Sequence, residues 1–266
     1  MLAWQTVSLI ILTTNPLLGG TIPMSVHRGR PIVDQVYLDG HGPYRFLLDT
    51  GAEANQLDAK VAMRAHLEAN LQVEIRTPAG VTKAPLAHGI TVRLGPVEAD
   101  AQVFVFTPLE AIHQWAADVQ GALGQSFLSR FDYLLDFDAR RIEFGKQERE
   151  GLRVPFERIT GRPAVSTSLG RLVLDSGSAR LILFQKKPAS GSNMIVQTES
   201  GSVTMVTGSE RLLVLEGWTI KHSGILIAPP QGQEEDGLLP VSLFHTVYVC
   251  NSERYLVLQV TSRAKP

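Results

Sequence analysis

The stretch Phe46-Leu47-Leu48-Asp49-Thr50-Gly51-Ala52 decides the fold of this chain. An apolar run carries a single carboxylate into a Thr-Gly turn. Because burying a lone carboxylate is costly, an aspartate at the end of an apolar strand needs a structural or functional reason. The same pattern returns at Leu172-Val173-Leu174-Asp175-Ser176-Gly177-Ser178, close to half a chain later. Asp-Thr/Ser-Gly should occur by chance about 0.1 times in a chain of this length, so two copies behind apolar strands indicate a duplicated unit.

The proportions of hydrophobic and charged residues are typical of a globular protein. It has 266 residues, of which 44% are hydrophobic and 19% are charged, and its formal net charge is −1. No charge block indicates a nucleic-acid partner or an anionic membrane surface. Cys250 is the one cysteine, which excludes an internal disulfide and a cysteine-rich zinc site.

The spacing of apolar runs and turns predicts an all-β chain that repeats itself once. Each half contains a hairpin, an aspartate turn, a second hairpin, a Gly-x-Leu segment and a terminal hairpin. Asp58 is predicted to be the N-cap of a short helix over 59–67. Residues 145–161 are polar and are predicted to form a linker, and Glu234-Glu235-Asp236 is predicted to be a solvated loop.

The two Asp-Thr/Ser-Gly segments resemble the active-site strands of aspartic proteases, pepsin-like or retropepsin-like. The resemblance covers most of the chain and is loosest over 178–236. It implies two pseudo-twofold-related acid-protease (retropepsin-like) lobes in one chain, with a central cleft. We predict an N-terminal lobe at 21–147 and a C-terminal lobe at 148–262, which makes the chain a monomer that is an intrachain pseudo-dimer.

In this interpretation Asp49 and Asp175 are the catalytic residues of an endopeptidase that acts on peptide or protein substrates. Two carboxylates that share a site cannot both ionise easily, so the pair holds one proton over a wide pH range. A water molecule between them can lose a proton to one carboxylate while the other protonates the substrate carbonyl. This chemistry requires no metal and no cofactor.

The residues that follow each aspartate are predicted to support it. Gly51 and Gly177 permit tight turns and a close approach of the backbone. The resemblance implies that the hydroxyls of Thr50 and Ser176 hydrogen-bond across the interface between the lobes. The third position after the aspartate is Ala52 in the first half and Ser178 in the second.

A serine at this third position could donate to the outer carboxylate oxygen and favour the ionised form. We therefore expect Asp175 to be the more acidic partner and Asp49 to hold the shared proton more often. The proton belongs to the coupled pair, so this is a bias and not an assignment.

Two features depart from the pepsin pattern. No tyrosine lies between Asp49 and Gly121, so the first flap is predicted to have a retroviral-type tip at Pro78-Ala79-Gly80, with a counterpart at Ser200-Gly201. The family packs a Leu-Gly pair behind the catalytic turn, and Leu123-Gly124 fits this pattern. The second half has Leu239-Pro240 instead.

Two alternatives to this interpretation of the function stay open. The fold could be retained in a catalytically inactive peptide-binding or scaffold protein, or a dimer could use the first aspartate turn alone.

Residues 1–20 hold an apolar run from Val7 to Leu12 that is too short to span a bilayer. They are interpreted as a secretory signal, which implies a periplasmic or secreted protein. The alternatives are a propeptide remnant, a disordered segment, a loose N-terminal strand or a wrong start codon, and without a signal the protein is expected in the cytoplasm. No Lys or Arg precedes the run, although export signals normally begin with a basic residue.

Overall fold

The structure is a computed structural model, which describes residues 20–77, 80–185, 191–198 and 201–260. Within these residues the chain forms 24 strands, three α-helices of four to six residues and one 3-10 turn. The all-β fold class predicted from the sequence is therefore confirmed. None of the described helices is long and apolar enough to cross a membrane.

The N-terminal half, meaning the described residues up to 147, contains eleven strands and the three helices. Their bounds are β1 (Thr21–Pro23), β2 (Ser25–His27), β3 (Arg30–Leu38), β4 (His41–Leu48), β5 (Asn55–Asp58), α1 (Ala59–Arg64), β6 (Leu71–Thr77), β7 (Gly80–Leu94), β8 (Val97–Thr107), α2 (Glu110–His113), β9 (Gly121–Leu123), α3 (Gln125–Leu128), β10 (Tyr133–Asp136) and β11 (Arg141–Phe144).

The C-terminal half, meaning the described residues from 148 onwards, contains thirteen strands and the 3-10 turn at Val241–Leu243. The strand bounds are β12 (Leu152–Pro155), β13 (Glu157–Ile159), β14 (Arg162–Thr167), β15 (Gly170–Asp175), β16 (Ile182–Phe184), β17 (Asn193–Thr198), β18 (Gly201–Thr207), β19 (Arg211–Leu215), β20 (Trp218–His222), β21 (Leu226–Ala228), β22 (Gly237–Pro240), β23 (Phe244–Cys250) and β24 (Tyr255–Val260).

Each half builds an eight-stranded sheet, and the two sheets have the same strand order. The N-terminal sheet runs β2-β3-β4-β9-β5-β8-β7-β6 and the C-terminal sheet runs β13-β14-β15-β22-β16-β21-β18-β17. The directions also match, because β4 is parallel to β9 and β15 is parallel to β22. The hairpin of β19 and β20 forms a separate two-stranded sheet and has no counterpart in the N-terminal half.

A third sheet of six strands takes three strands from each half. Its order is β1-β11-β10-β23-β24-β12, so β10 and β23 pair at the centre and equivalent strands follow on either side. The domain bounds predicted from the sequence stay a prediction.

The apolar ends of β4 and β15 lie inside the main hydrophobic core. Phe46, Leu48, Leu172 and Leu174 are all buried in one cluster that takes side chains from both halves. Continuous burial on both faces of a strand is typical of central strands with parallel neighbours. The core therefore fixes the strands from which the two aspartates emerge.

Local signals predicted the first helix well. Asp58 is its N-cap, and the side chain accepts hydrogen bonds from the backbone N–H groups of Lys60 and Val61. The helix ends at Arg64, three residues earlier than predicted, and His66 adopts a left-handed φ of 53°. A non-glycine residue with positive φ breaks the helical backbone, which explains the earlier end.

Two predictions for polar segments were wrong. Residues 145–161 are not only a linker, because β12 and β13 lie within them and bury Val154 and Ile159. The charged run at 234–236 is not fully solvated, because Glu235 is only 6% exposed and pairs with Arg162. The partners of β12 and Glu235, which are β24 and Arg162, lie far away in sequence, and the local polarity gives no sign of them.

Candidate active site

The first aspartate turn follows β4 at the centre of the N-terminal sheet. The backbone N–H of Asp49 donates to the carbonyl of Leu123 at 2.9 Å, which ties the turn to the neighbouring strand β9. The N–H of Gly51 donates to Asp49 Oδ1 at 3.0 Å. The Asp49 side chain is partly exposed, so it lies at the edge of the core and faces outward from it.

The second turn follows β15 in the equivalent place of the C-terminal sheet. The N–H groups of Gly177 and Ser178 donate to Asp175 Oδ1 at 2.7 and 3.0 Å. Asp175 is only 7% exposed, so this carboxylate is more deeply buried than that of Asp49. Two backbone donors stabilise it there in place of water.

Four hydrogen bonds lock the two turns together across the halves. The Thr50 hydroxyl donates to the carbonyl of Leu174 at 2.7 Å and accepts from the N–H of Ser176 at 3.0 Å. The Ser176 hydroxyl repeats this in the opposite direction, donating to Leu48 O at 2.6 Å and accepting from Thr50 N at 2.9 Å. The structure thus contains the hydrogen bonding across the halves that the resemblance implies.

The two glycines bring each aspartate against the opposite turn. A Cβ atom placed on Gly51 would lie 2.5 Å from Asp175 Cγ, and one on Gly177 would lie 2.6 Å from Asp49 Oδ2. No real side chain fits at such distances. Each carboxylate therefore packs against the glycine backbone of the opposite turn.

Burial dominates the electrostatics of the Asp175 carboxylate. It raises the pKa of Asp175, because the low-dielectric surroundings disfavour the charged form. The N–H groups of Ser178 and Gly177 and the charges of Arg30 and Arg162 act in the opposite direction without overcoming burial. Burial therefore favours the protonated form of Asp175.

The role expected for the Ser178 hydroxyl was wrong. This hydroxyl donates to the carbonyl of Arg180 at 2.8 Å, so its one proton is not available to Asp175, and the backbone N–H of Ser178 contacts the carboxylate instead. The raised pKa of Asp175 also weighs against the expectation that Asp175 is the more acidic partner. Ala52, at the equivalent position of the first turn, donates its N–H to the Asp49 carbonyl at 3.3 Å.

Three polar contacts behind the first turn were not predicted. Asn55 is fully buried, and its Oδ1 accepts from the N–H of Gly124 at 2.9 Å, while Nδ2 donates to Gln102. Gln125 Nε2 donates to the carbonyl of Thr50 at 2.8 Å. A polar residue six positions after the aspartate, inside an apolar surrounding, was the available signal.

Arg30 is a second functional candidate that sequence reasoning missed. It begins β3, and its Nε donates to the carbonyl of Gly177 at 2.6 Å, across the two halves. Its guanidinium also lies over the ring of Trp115, 4.6 Å from the ring centre. The signal was a repeat, since Gly29-Arg30-Pro31 returns as Gly161-Arg162-Pro163.

The predicted flap tips lie at the ends of two edge hairpins. Strands β6 and β7 pair from Thr77 and Gly80, and strands β17 and β18 pair from Thr198 and Gly201, each pair at the edge of its sheet. Pro78, Ala79 and Ser200 lie outside the described residues. The two hairpins thus occupy equivalent places, and their role as flaps stays a prediction.

Over the described ranges, no cluster of three or more His, Cys, Asp or Glu side chains has the arrangement of a metal site. The chemistry available at the two turns is that of carboxylates, backbone N–H groups and one nearby guanidinium.

Comparison with known families bears on the first turn. Residues 34–127 match the family described as aspartyl protease, a segment of about a third of the chain that includes Asp49 and Leu123-Gly124. The predicted resemblance to aspartic proteases is confirmed, and the match supports a protease-type function in general. The matched segment does not include Asp175. No curated protein matches the chain.

Proposed function

We propose that this protein is an aspartic endopeptidase, which hydrolyses peptide bonds with a water molecule activated between Asp49 and Asp175. The observation that carries the proposal is the mutual packing of the turns, in which each carboxylate lies on the glycine of the opposite half. A single turn would supply one carboxylate, which could act as a base or as an acid but not as both at once. Two carboxylates in one space supply both functions.

In the proposed reaction the ionised carboxylate accepts a proton from the water, and the resulting hydroxide attacks the carbonyl carbon of the scissile bond. The protonated carboxyl donates its proton to the carbonyl oxygen, giving a neutral gem-diol. The first carboxyl then protonates the leaving nitrogen, the C–N bond breaks, and one diol hydroxyl returns its proton to the other carboxylate. The pair again holds one proton, and no bond forms between protein and substrate.

The surroundings of the pair suit these steps. Hydrogen bonds across the halves fix the two turns against each other, so the carboxylates are held in place before a substrate arrives. The raised pKa of Asp175 favours retention of the proton that the acid step needs. The edge hairpins at 71–94 and 193–207 supply strands beside which an extended peptide could lie.

The decisive experiment compares the wild type with Asp49→Asn and Asp175→Asn on a mixed peptide library, with mass spectrometry of the products between pH 3 and 8. Each substitution alone should abolish cleavage, because asparagine neither accepts nor donates the transferred proton. Asp138→Asn is a matched control, since this aspartate is exposed in a hairpin turn and pairs with His245. It should cleave at the wild-type rate.

Two results would overturn the proposal. A wild-type protein that cleaves nothing in this range would favour an inactive peptide-binding protein with a retained fold. Full activity in Asp175→Asn would instead favour a dimer that uses the first turn alone. Thermal unfolding of each variant, followed by circular dichroism, separates loss of catalysis from loss of structure.

A further inference from the structure

A second repeated motif accompanies the aspartate turns. Gly29-Arg30-Pro31 and Gly161-Arg162-Pro163 stand at the start of equivalent strands, β3 and β14, and the two glycines have left-handed φ values of 81° and 86°. The register places the arginines alike, since Ile32 lies opposite Leu47 and Ala164 lies opposite Val173. Each arginine therefore enters its sheet beside the aspartate turn of its own half.

The two arginines have different partners. Arg162 makes a two-pronged ion pair with Glu235, with N–O distances of 3.0 and 2.9 Å, and both side chains are almost fully buried. Its charge is thus neutralised locally. Arg30 instead crosses to the other half, where Nε donates to the carbonyl of Gly177, and its guanidinium lies on the face of Trp115.

This contact brings the Arg30 charge to the aspartate pair. Gly177 is the residue on which the Asp49 carboxylate rests, and its N–H donates to Asp175. Both carboxylates favour the charged form of Arg30, although burial lowers its pKa. Arg30 in turn lowers the pKa of Asp175 against the effect of burial. A guanidinium remains protonated in proteins, so this charge is permanent.

Other charged and titratable groups surround the pair less directly. Arg28 precedes Arg30 in the same turn and lowers its pKa, and the His27 ring lies 5.7 Å from the Trp115 ring. Arg162 acts on Asp175 as well, but Glu235 holds it in a salt bridge. Arg30 is therefore the cation with a direct hydrogen bond to a residue of the catalytic turn.

We propose that Arg30 is a positioning residue for the aspartate pair, which fixes the Gly177 carbonyl and uses its charge to keep one carboxylate ionised in acidic solution. The inference rests on the proposed function for its catalytic meaning. Trp115 packs against the guanidinium and holds it in this orientation. The equivalent Arg162 is engaged instead in its ion pair with Glu235.

Two substitutions separate the charge of Arg30 from its hydrogen bond. Arg30→Gln can still donate to the Gly177 carbonyl but is neutral, whereas Arg30→Lys keeps the charge without the planar guanidinium. The ionisation of the pair can be followed by ¹³C NMR of aspartate-labelled protein, with Asp49→Asn and Asp175→Asn to assign the signals. This readout does not depend on turnover.

We expect Arg30→Gln to raise the pH at which the pair loses its first proton by about one unit, the lower end of the effect of a nearby opposite charge. Arg30→Lys should remain close to the wild type. The acidic limb of the pH profile of kcat/KM should move in the same direction. Arg93→Gln is the matched control, because this guanidinium also lies over an aromatic ring, 4.1 Å from the ring centre of Tyr37, but beside the opposite end of β3 from Arg30. It should leave the titration unchanged.

The inference fails if Arg30→Gln leaves the titration unchanged, or if the lysine and glutamine variants shift it equally. Failure of the proposed function gives a different result. A protein that cleaves no peptide but shows the expected shift would keep the electrostatic role of Arg30 and refute proteolysis. Peptide cleavage with an unshifted titration in Arg30→Gln would refute the role of Arg30 alone.

Discussion

The backbone behind the two aspartate turns is held in two different ways. In the N-terminal half, the N–H of Gly124 donates to the buried side chain of Asn55. In the C-terminal half, the sheet register puts Pro240 beside Asp175 where Gly124 lies beside Asp49, and Leu181 takes the place of Asn55. Proline has no N–H to satisfy, so an apolar leucine suits that position.

Two positions therefore differ together between the halves: Gly124 with Asn55 in the first, and Pro240 with Leu181 in the second. The Leu-Pro departure noted in the sequence does not leave a buried donor without an acceptor, because donor and acceptor are both absent. The surfaces that face the aspartate pair are alike, with the same glycines and the same reciprocal hydroxyl contacts. The halves differ in the residues that support the turns and agree in the glycine and hydroxyl contacts that join them.

The largest expected effect tests that agreement. Gly51→Ala and Gly177→Ala should each reduce kcat/KM by about 100-fold or more, because the added methyl group displaces the carboxylate of the opposite half. Gly208→Ala is a matched control, since the nearest atom to its added methyl group is the terminal Cδ1 of Ile227 at 3.1 Å, farther away than the carboxylates at the two turns. Peptide cleavage by the three folded variants is the measurement. Normal activity in either turn variant would contradict the mutual packing.

The next effect separates the two arginines. Glu235→Gln should lower the free energy of unfolding by about 3 kcal/mol, because it leaves the Arg162 charge buried without its counter-charge. Glu157→Gln breaks an exposed pair with Arg171 and should cost less than about 1 kcal/mol. Urea unfolding followed by fluorescence measures both. Equal losses in the free energy of unfolding would mean that burial of the Arg162–Glu235 pair does not affect how much its disruption costs.

A smaller effect tests the matched supports. Asn55→Leu gives the N-terminal half the residue of the C-terminal half, and it should cost about 2 kcal/mol since the N–H of Gly124 loses its acceptor. The reciprocal Leu181→Asn should also destabilise, because it buries an amide beside a proline. If Asn55→Leu were neutral in urea unfolding, the hydrogen bond to Gly124 would not be the reason for the asparagine.

The smallest effect concerns pH. The pKa of Asp175 is raised by burial, so the folded state binds this proton more tightly than the unfolded state. Stability should therefore fall as pH rises through the raised pKa. Asp175→Asn removes this loss and should raise the melting temperature by a few degrees at neutral pH, although it abolishes cleavage.

The advantage of Asp175→Asn should disappear below the pKa of an unfolded aspartate, where both proteins are neutral at this position. Thermal unfolding across pH 3 to 8 is the measurement. An advantage that is the same at every pH would show that charge at Asp175 is not its cause.

Local patterns were sufficient for the elements that carry the candidate site. An apolar run that ends in Asp-Thr-Gly or Asp-Ser-Gly predicted β4, β15 and the turns after them, and Asp58 predicted the start of a helix. These signals lie within a few residues of one another. Turn chemistry and hydrophobic alternation are enough to interpret them.

The contacts between distant segments could not be predicted in this way. The Glu235 carboxylate looks like part of a solvated acidic run until the fold brings Arg162 beside it. Strand β12 forms in a polar segment because β24, about a hundred residues later, supplies its pairing edge. The Ser178 hydroxyl donates to the carbonyl of Arg180, and the loop conformation that brings this carbonyl close is not visible in the sequence.

The pairing of β10 with β23 determines when the central sheet can be completed during synthesis. Residues 133–136 leave the ribosome about a hundred residues before 244–250, so β10 lacks its β23 partner over that stretch of synthesis. Strand β23 also contributes buried side chains to the core shared by both halves. A chain built in this way can complete the core behind the two aspartate turns only after residues 244–250 have been translated.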